Sequence, residues 1–201
     1  MRLYHVPNSN SQRVLWLLEE AGEPYELTIL GDRQSRLADP EHMRRHPFGR
    51  VPVLEDDGIH IFESGAICLY IADKYPQAGL LSASGTPARG LAYQWSLFAY
   101  TELQAKLDWV RLAGSPEAEQ AAREALREPI DAVAAALQGQ DFLVGGGFTV
   151  GDLLVAAVLG FARRISIVEL PPQIMRYLDA IEGRPAKQRA DARNPPPAAA
   201  H

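Results

Sequence analysis

One cysteine, Cys68, stands in a chain of 201 residues. It rules out an internal disulfide and any Cys-x-x-Cys redox or zinc arrangement, so thiol chemistry here needs a sulfur from outside the chain. No apolar run approaches the roughly 20 residues of a membrane helix. The N-terminus passes from Met1 into Arg2-Leu3-Tyr4-His5-Val6 without a basic region, an apolar core or a small-residue cleavage site, and the chain reads as cytoplasmic. Positive charge is also scarce. Lys and Arg total 20 against 25 Asp and Glu, a net charge of -5, whereas a general nucleic-acid binder needs a basic face to neutralise phosphates. There are no internal repeats.

What is present is a 47% hydrophobic composition, ample for the core of one large domain or two small ones. The first part alternates strand and helix signals. Residues 3–6 read as a strand and 11–21 as a helix, with Ser11 as N-cap, Val14, Leu15, Leu17, Leu18 and Ala21 on one stripe, and Gly22 as a left-handed C-cap. A strand at 25–30, a polar loop with a short helix at 40–45, strands at 51–54 and 59–62, and a helix over 64–75 stopped by Pro76 follow. The order strand, helix, strand, helix, strand, strand, helix predicts a four-stranded mixed sheet, its first two strands parallel and its last two a hairpin. Residues 78–85 read as a linker between domains at 1–77 and 86–201. Beyond it only helices are expected, at 89–113, 116–137, 149–163 and 172–181, the third buried at the centre of a bundle. The tail from Asn194 through Pro195-Pro196-Pro197 is expected to be loose.

Several residues could carry chemistry. Pro52 enters a strand without a donor for the ladder; a cis Val51–Pro52 bond would resolve this and turn the Val51 backbone towards an extended peptide ligand. Glu63 and Ser64 close a strand and open a helix, where backbone amides attract a carboxylate, Ser64 offers a hydroxyl and Glu63 can take an ammonium. Each alone is also an ordinary turn or cap; together they suit a ligand with α-amino and α-carboxylate groups at one end and an amide further along. The loop Pro7-Asn8-Ser9-Asn10-Ser11 collects hydroxyl and amide donors at a helix N-terminus, where a thiolate is stabilised; a free thiol at about 8.5 needs roughly one to two units of lowering to ionise at neutral pH.

His42 and His46, four apart, could share a helix face as metal ligands, but Arg44 and Arg45 between them would repel a cation, and no metal is expected. Arg36, Arg44, Arg45 and Arg50 read as a basic rim, with Arg50 placed to hold a terminal carboxylate. Cys68 reads as a small core residue. Thr149 and Asp152 have capping-box spacing, with Phe148 and Leu153 as a hydrophobic staple, and losing either cap residue should cost about 1 kcal/mol.

Taken together, Arg50-Val51-Pro52-Val53-Leu54, Phe62-Glu63-Ser64-Gly65-Ala66-Ile67, the Ser-Gln-Arg-Val-Leu-Trp-Leu-Leu-Glu-Glu helix from Ser11 and Phe148-Thr149-Val150-Gly151-Asp152 resemble the cytosolic glutathione transferases over essentially the whole chain. The resemblance implies a thioredoxin-like N-terminal domain, an all-α C-terminal domain, a homodimer, and glutathione as co-substrate. Carried over, Val51 would pair with the cysteinyl part of glutathione, Glu63 and Ser64 would hold the γ-glutamyl end, and Arg50 would face the glycyl carboxylate, with Pro52 shaping the clamp. His5 stands where a tyrosine-type member would have Tyr, and Asn10 where a cysteine-type member would have Cys. Serine-type chemistry through Ser9, then Ser11, is the preferred expectation, with Asn8 or Asn10 open as thiol donor. The second substrate would be a hydrophobic electrophile, met by an apolar wall that could include Tyr93, Leu97, Tyr100, Leu103 and Trp109. The same thiolate could instead reduce a peroxide or mixed disulfide, or the chain could be a non-catalytic interaction module.

Overall fold

The computed structural model describes residues 1–194, and its backbone divides into two compact units, Met1–Ala78 together with the segment from Arg184, and Gly79–Gly183. In the first, β1 (Arg2–His5), α1 (Ser11–Ala21), β2 (Glu26–Ile29), α2 (Arg33–Ala38), α3 (Pro40–Arg45), β3 (Val53–Asp56), β4 (Ile59–Phe62) and α4 (Ser64–Lys74) follow one another. The sheet order is β2-β1-β3-β4, with β1 and β2 parallel and the two other pairs antiparallel. This is the expected βαβ unit joined to a ββα unit. Between β2 and α3, α2 escaped the sequence reading, because its six residues bury none of their side chains and so leave no apolar stripe.

Helix α1 buries Val14, Leu15, Leu17 and Leu18 completely and packs on β1 and α4, where Leu3, Ile67 and Ile71 are likewise fully buried, each such burial contributing about 1.5 to 3 kcal/mol. Gly22 closes the helix at φ 72°, its amide bonded to the Leu18 carbonyl, as a left-handed C-cap requires. Cys68 is fully buried in α4, and burial pushes its thiol up to about 12. Its place is in the core.

The second unit is helical: α5 (Pro87–Phe98), a wider π turn (Ala99–Gln104), α6 (Ala105–Arg111), α7 (Pro116–Ala136), α8 (Val150–Arg164) and α9 (Pro172–Glu182). The single helix expected over 89–113 is thus interrupted by a wide turn. Helix α8 is buried along most of its length and packs on α5 so closely that a Cβ on Gly151 would lie 3.0 Å from the Trp95 Cβ and 3.2 Å from the Ala92 carbonyl. Asp152, fully buried, accepts from the Thr149 amide at 3.0 Å and the Thr149 hydroxyl at 2.9 Å, completing the capping pair, and also from the Leu143 amide at 2.8 Å and the Tyr177 hydroxyl at 3.1 Å. No helix among the described residues is long and apolar enough to cross a membrane.

The C-terminal segment departs from the expected boundary at residue 86. A tenth helix, α10 (Pro185–Ala192), belongs with the first unit and packs along α1. Its sequence is polar, so no apolar stripe announces it; its attachment is ionic. Arg184 forms a two-pronged pair with Glu20 at 2.7 and 2.8 Å, and Arg189 and Arg193 reach the Glu19 carboxylate at 2.9 and 3.0 Å. Asn194, expected to begin a loose tail, is bonded to the first loop; Pro195, Pro196 and Pro197 lie outside the described residues.

Burial pushes the Glu19 carboxyl up, but its bonds from Tyr25, Arg189 and Arg193 outweigh this and hold it below its ordinary value of 4.5. A carboxyl depressed on folding contributes stability above its unfolded value and loses it as pH falls through the folded one. Amide hydrogen exchange, corrected for intrinsic rates, should therefore show α10 losing protection ahead of the sheet once the pH is taken below 4.5, with β1 and β3 still protected.

Candidate functional site

The sheet register brings the candidate residues to one end. Tyr4 lies opposite Val53, and Val53 opposite Phe62. One residue further along each strand stand His5, Pro52 and Glu63, so the loop after β1, the Val51–Pro52 bond and the start of α4 share an edge. Their order in sequence gave no direct sign of that row; the antiparallel pairings create it.

On this edge the Val51–Pro52 peptide is cis, as the strand-entry proline suggested. Pro52 is buried and Val51 half-buried, and β3 begins only at Val53, which leaves the Val51 peptide groups outside the ladder. The segment before it is anchored by His42, whose Nε2 lies 3.1 Å from the Arg50 carbonyl oxygen and donates to it. Arg50 itself is exposed, its guanidinium 5.4 Å from the centre of the Phe48 ring.

His42 and His46 do not converge as a ligand pair. His42 serves Arg50, while His46 accepts from the Phe48 amide at 3.1 Å and packs on Phe62 with ring centres 4.9 Å apart. Burial lowers both imidazoles, so both are neutral supports of the loop. No group of three metal-capable side chains occurs among the described residues.

Glu63 holds φ 71° and ψ 111°, a region that L residues rarely occupy. It does so at the N-cap of α4, with its carbonyl accepting from the Ile67 amide at 2.9 Å and its side chain exposed. Ser64 follows, 4% exposed. Backbone strain in an exposed, charged residue at a helix N-terminus is characteristic of a site that holds a ligand. The carboxylate and the helix amides together offer one acceptor for a cation and several donors for an anion within two residues.

The first loop separates its candidates. Asn8, at φ 58°, and Asn10 are exposed, Ser9 is half-buried and Ser11 is fully buried. The Ser11 hydroxyl is surrounded by the Val6 amide at 3.2 Å, the Val6 carbonyl at 3.1 Å, the Ser9 hydroxyl at 2.6 Å and His5 Nδ1 at 2.7 Å. Ser11 thus opens α1 as an internal tie of the loop, and the N-cap position expected for it falls to Asn10, whose amide makes no capping bond. Ser9 Oγ lies 2.7 Å from the Val6 carbonyl as well. Sequence reasoning missed His5 and Asn194, which complete this cluster; a buried histidine at a strand end was its only trace.

In the second unit, Leu103 is core, whereas Tyr93, Leu97 and Trp109 are exposed by 37%, 61% and 52%. Glu102, in the wide turn, pairs with Lys106 at 3.0 Å.

A βαβ–ββα sheet with a cis-proline at the start of β3, followed by an all-helical unit, defines a thioredoxin-like domain joined to a helical domain. Residues 1–73 match the family model for the glutathione S-transferase N-terminal domain and residues 91–185 that for the glutathione S-transferase C-terminal domain. Glutathione S-transferase 3 of Zea mays is 30% identical over 98% of this chain and 96% of its own length. Among solved structures, a glutathione transferase from Methylococcus capsulatus superposes with a TM-score of 0.86 at 30% identity, covering 96% of this chain and 98% of that one. A sphingomonad glutathione S-transferase complexed with glutathione superposes at 0.85 with 28% identity, over 96% and 98%. The chain belongs to the glutathione S-transferase family.

Proposed function

We propose that the protein is a glutathione transferase: it binds glutathione along the edge formed by His5, Pro52 and Glu63, stabilises the thiolate, and directs it at a hydrophobic electrophile. The observation that carries this reading is the shared register row. It brings Val51, Glu63, Ser64 and the loop at residues 8–11 to one end of the sheet, and this supports a reading in which Glu63 and Ser64 take the γ-glutamyl end, Val51 pairs with the cysteinyl backbone and the loop faces the cysteinyl thiol. Arg50, exposed at the near side of Val51, takes the glycyl carboxylate.

In the reaction the thiol proton passes to solvent, the thiolate sulfur donates its electron pair to an electrophilic carbon, and the leaving group departs with the pair of the broken bond. The chain's part is to make that first loss easy. Asn10 and Ser9 offer side-chain donors, and the N-terminus of α1 offers the positive end of its dipole; two such donors supply the roughly one to two units by which a thiol near 8.5 must fall. Ser11, buried and internally bonded, holds the loop in shape. We further propose that the protein acts as a homodimer in the cytoplasm, with glutathione and a small hydrophobic electrophile as its ligands.

The test is titration with reduced glutathione while thiolate absorbance is followed against pH. Saturable binding with a bound thiol at least one unit below the free one is the expected result. Binding with an unmoved thiol favours a non-catalytic glutathione-binding module, and no binding at millimolar glutathione overturns the proposal. Turnover of an activated aryl halide against a peroxide then separates conjugation from reduction.

A further inference from the structure

The hydroxyl cluster under the first loop has a direction, and its direction is set from the far end of the chain. Asn194 Oδ1 lies 3.0 Å from His5 Nε2 and 3.4 Å from the Asn8 amide. A backbone N–H can only donate, so the Asn194 atom facing both is its carbonyl oxygen, and His5 Nε2 must carry the proton. His5 is fully buried, and burial lowers its imidazole while the Asn194 bond opposes this; the ring is neutral at pH 7. Neutral with its proton on Nε2, it presents a lone pair at Nδ1, and the Ser11 hydroxyl 2.7 Å away donates to it.

Proton counting then fixes what Ser9 can do. Ser11 has spent its single hydroxyl proton on His5. The Ser11 oxygen accepts from the Val6 amide at 3.2 Å, and the single Ser9 proton is divided among the same oxygen at 2.6 Å, the Val6 carbonyl at 2.7 Å and any ligand at the surface. With the opposite tautomer His5 would give a proton to Ser11, Ser11 would satisfy the Val6 carbonyl at 3.1 Å, and the Ser9 proton would be free to point outward.

Resting on the glutathione-binding reading above, we infer that Asn194 and His5 are positioning residues that set the polarity of the Ser11–Ser9 hydroxyl chain, so that the C-terminal segment docked by α10 limits how strongly Ser9 can donate to a bound thiolate. The docking is built for this placement. Arg184, Arg189 and Arg193 pin α10 to Glu20 and Glu19, and Asn194 lies one residue past the last of these arginines. Asn10 is left as the principal side-chain donor, and the network holds Ser9 in reserve.

Two measurements test this on the full chain. Nitrogen-15 NMR of the free protein should find the His5 ring neutral with its proton on Nε2 from pH 6 to 8; a proton on Nδ1, or an imidazolium, overturns the inference. Asn194→Leu removes the acceptor and leaves an orphan N–H that is relieved when the ring changes tautomer. The variant should keep its affinity for reduced glutathione within about twofold and lower the bound thiol by roughly half a unit to one unit, one added hydrogen bond to a charged group. In a Ser9→Ala background the same substitution should have no effect. Glutathione binding with the thiol unmoved by Asn194→Leu, raised by it, or lowered equally in the Ser9→Ala background overturns the inference and leaves the proposed function standing. A wild-type protein that does not bind glutathione overturns both.

Discussion

Asp152→Ala should lower the free energy of unfolding by about 3 to 5 kcal/mol, several times the roughly 1 kcal/mol that loss of a helix cap ordinarily costs. The difference lies in who depends on the carboxylate. One oxygen accepts from the Leu143 amide and the Tyr177 hydroxyl, the other from both the amide and the hydroxyl of Thr149. Deleting the side chain strands these donors in the core of the second unit, each at about 1 to 3 kcal/mol if it finds no substitute. Tyr177 keeps a partial alternative, the Asp152 carbonyl at 3.3 Å, and its loss is the cheapest. Asp152→Asn separates charge from geometry, because its NH2 must face a backbone N–H, of Leu143 or of Thr149, whichever way the amide is turned, while the hydroxyl beside it can turn to accept. It should cost about 2 kcal/mol, and Tyr177→Phe about 1 kcal/mol. Chemical denaturation followed by far-ultraviolet circular dichroism would measure all three, and an Asp152→Ala loss near 1 kcal/mol would show that Asp152 acts only as a cap.

Capping-box spacing was legible at Thr149 and Asp152, because the motif spans four residues and both partners lie in the same helix start. The Leu143 and Tyr177 bonds were not, since they join residues 9 and 25 positions from Asp152 and depend on how α8 and α9 pack. The same contrast runs through the first unit. The apolar stripe of α1, and the Ser64 start and Pro76 stop of α4, marked both helices nearly to the residue. Periodicity missed α2, which buries nothing, and α10, which is held by arginine–glutamate pairs and has no stripe to read. At the site, Val51-Pro52 and Glu63-Ser64 were readable as local motifs, and the strand register supplied what they lacked, their common edge with the loop. Ser9 and Ser11 are chemically alike in sequence. Only burial separates a hydroxyl tied inside the loop from one near its surface, and only tertiary structure brings His5 and Asn194 to them.

Glu63 should show stability and binding moving in opposite directions. Its φ of 71° with ψ 111° is costly for a residue with a Cβ, of order 1 to 3 kcal/mol, and costs glycine almost nothing. Glu63→Gly removes that strain and adds back part of it as unfolded-chain entropy, so the variant should unfold about 1 kcal/mol less readily than the parent. The same substitution deletes the carboxylate placed one residue past Phe62 in the row with Pro52 and His5. A hydrogen bond between a charged acceptor and the γ-glutamyl ammonium contributes about 1.5 to 3 kcal/mol, so the Kd for reduced glutathione should rise roughly 10- to 100-fold. Glu63→Ala loses the carboxylate while keeping the strain, and should match the glycine variant in affinity but not gain in stability. Calorimetric titration beside thermal unfolding reads both quantities on the same samples. A glycine variant that gains stability and keeps its affinity would mean that the strain at residue 63 serves the start of α4 and that the ammonium is held elsewhere; equal losses of both would mean that Glu63 is simply part of the fold.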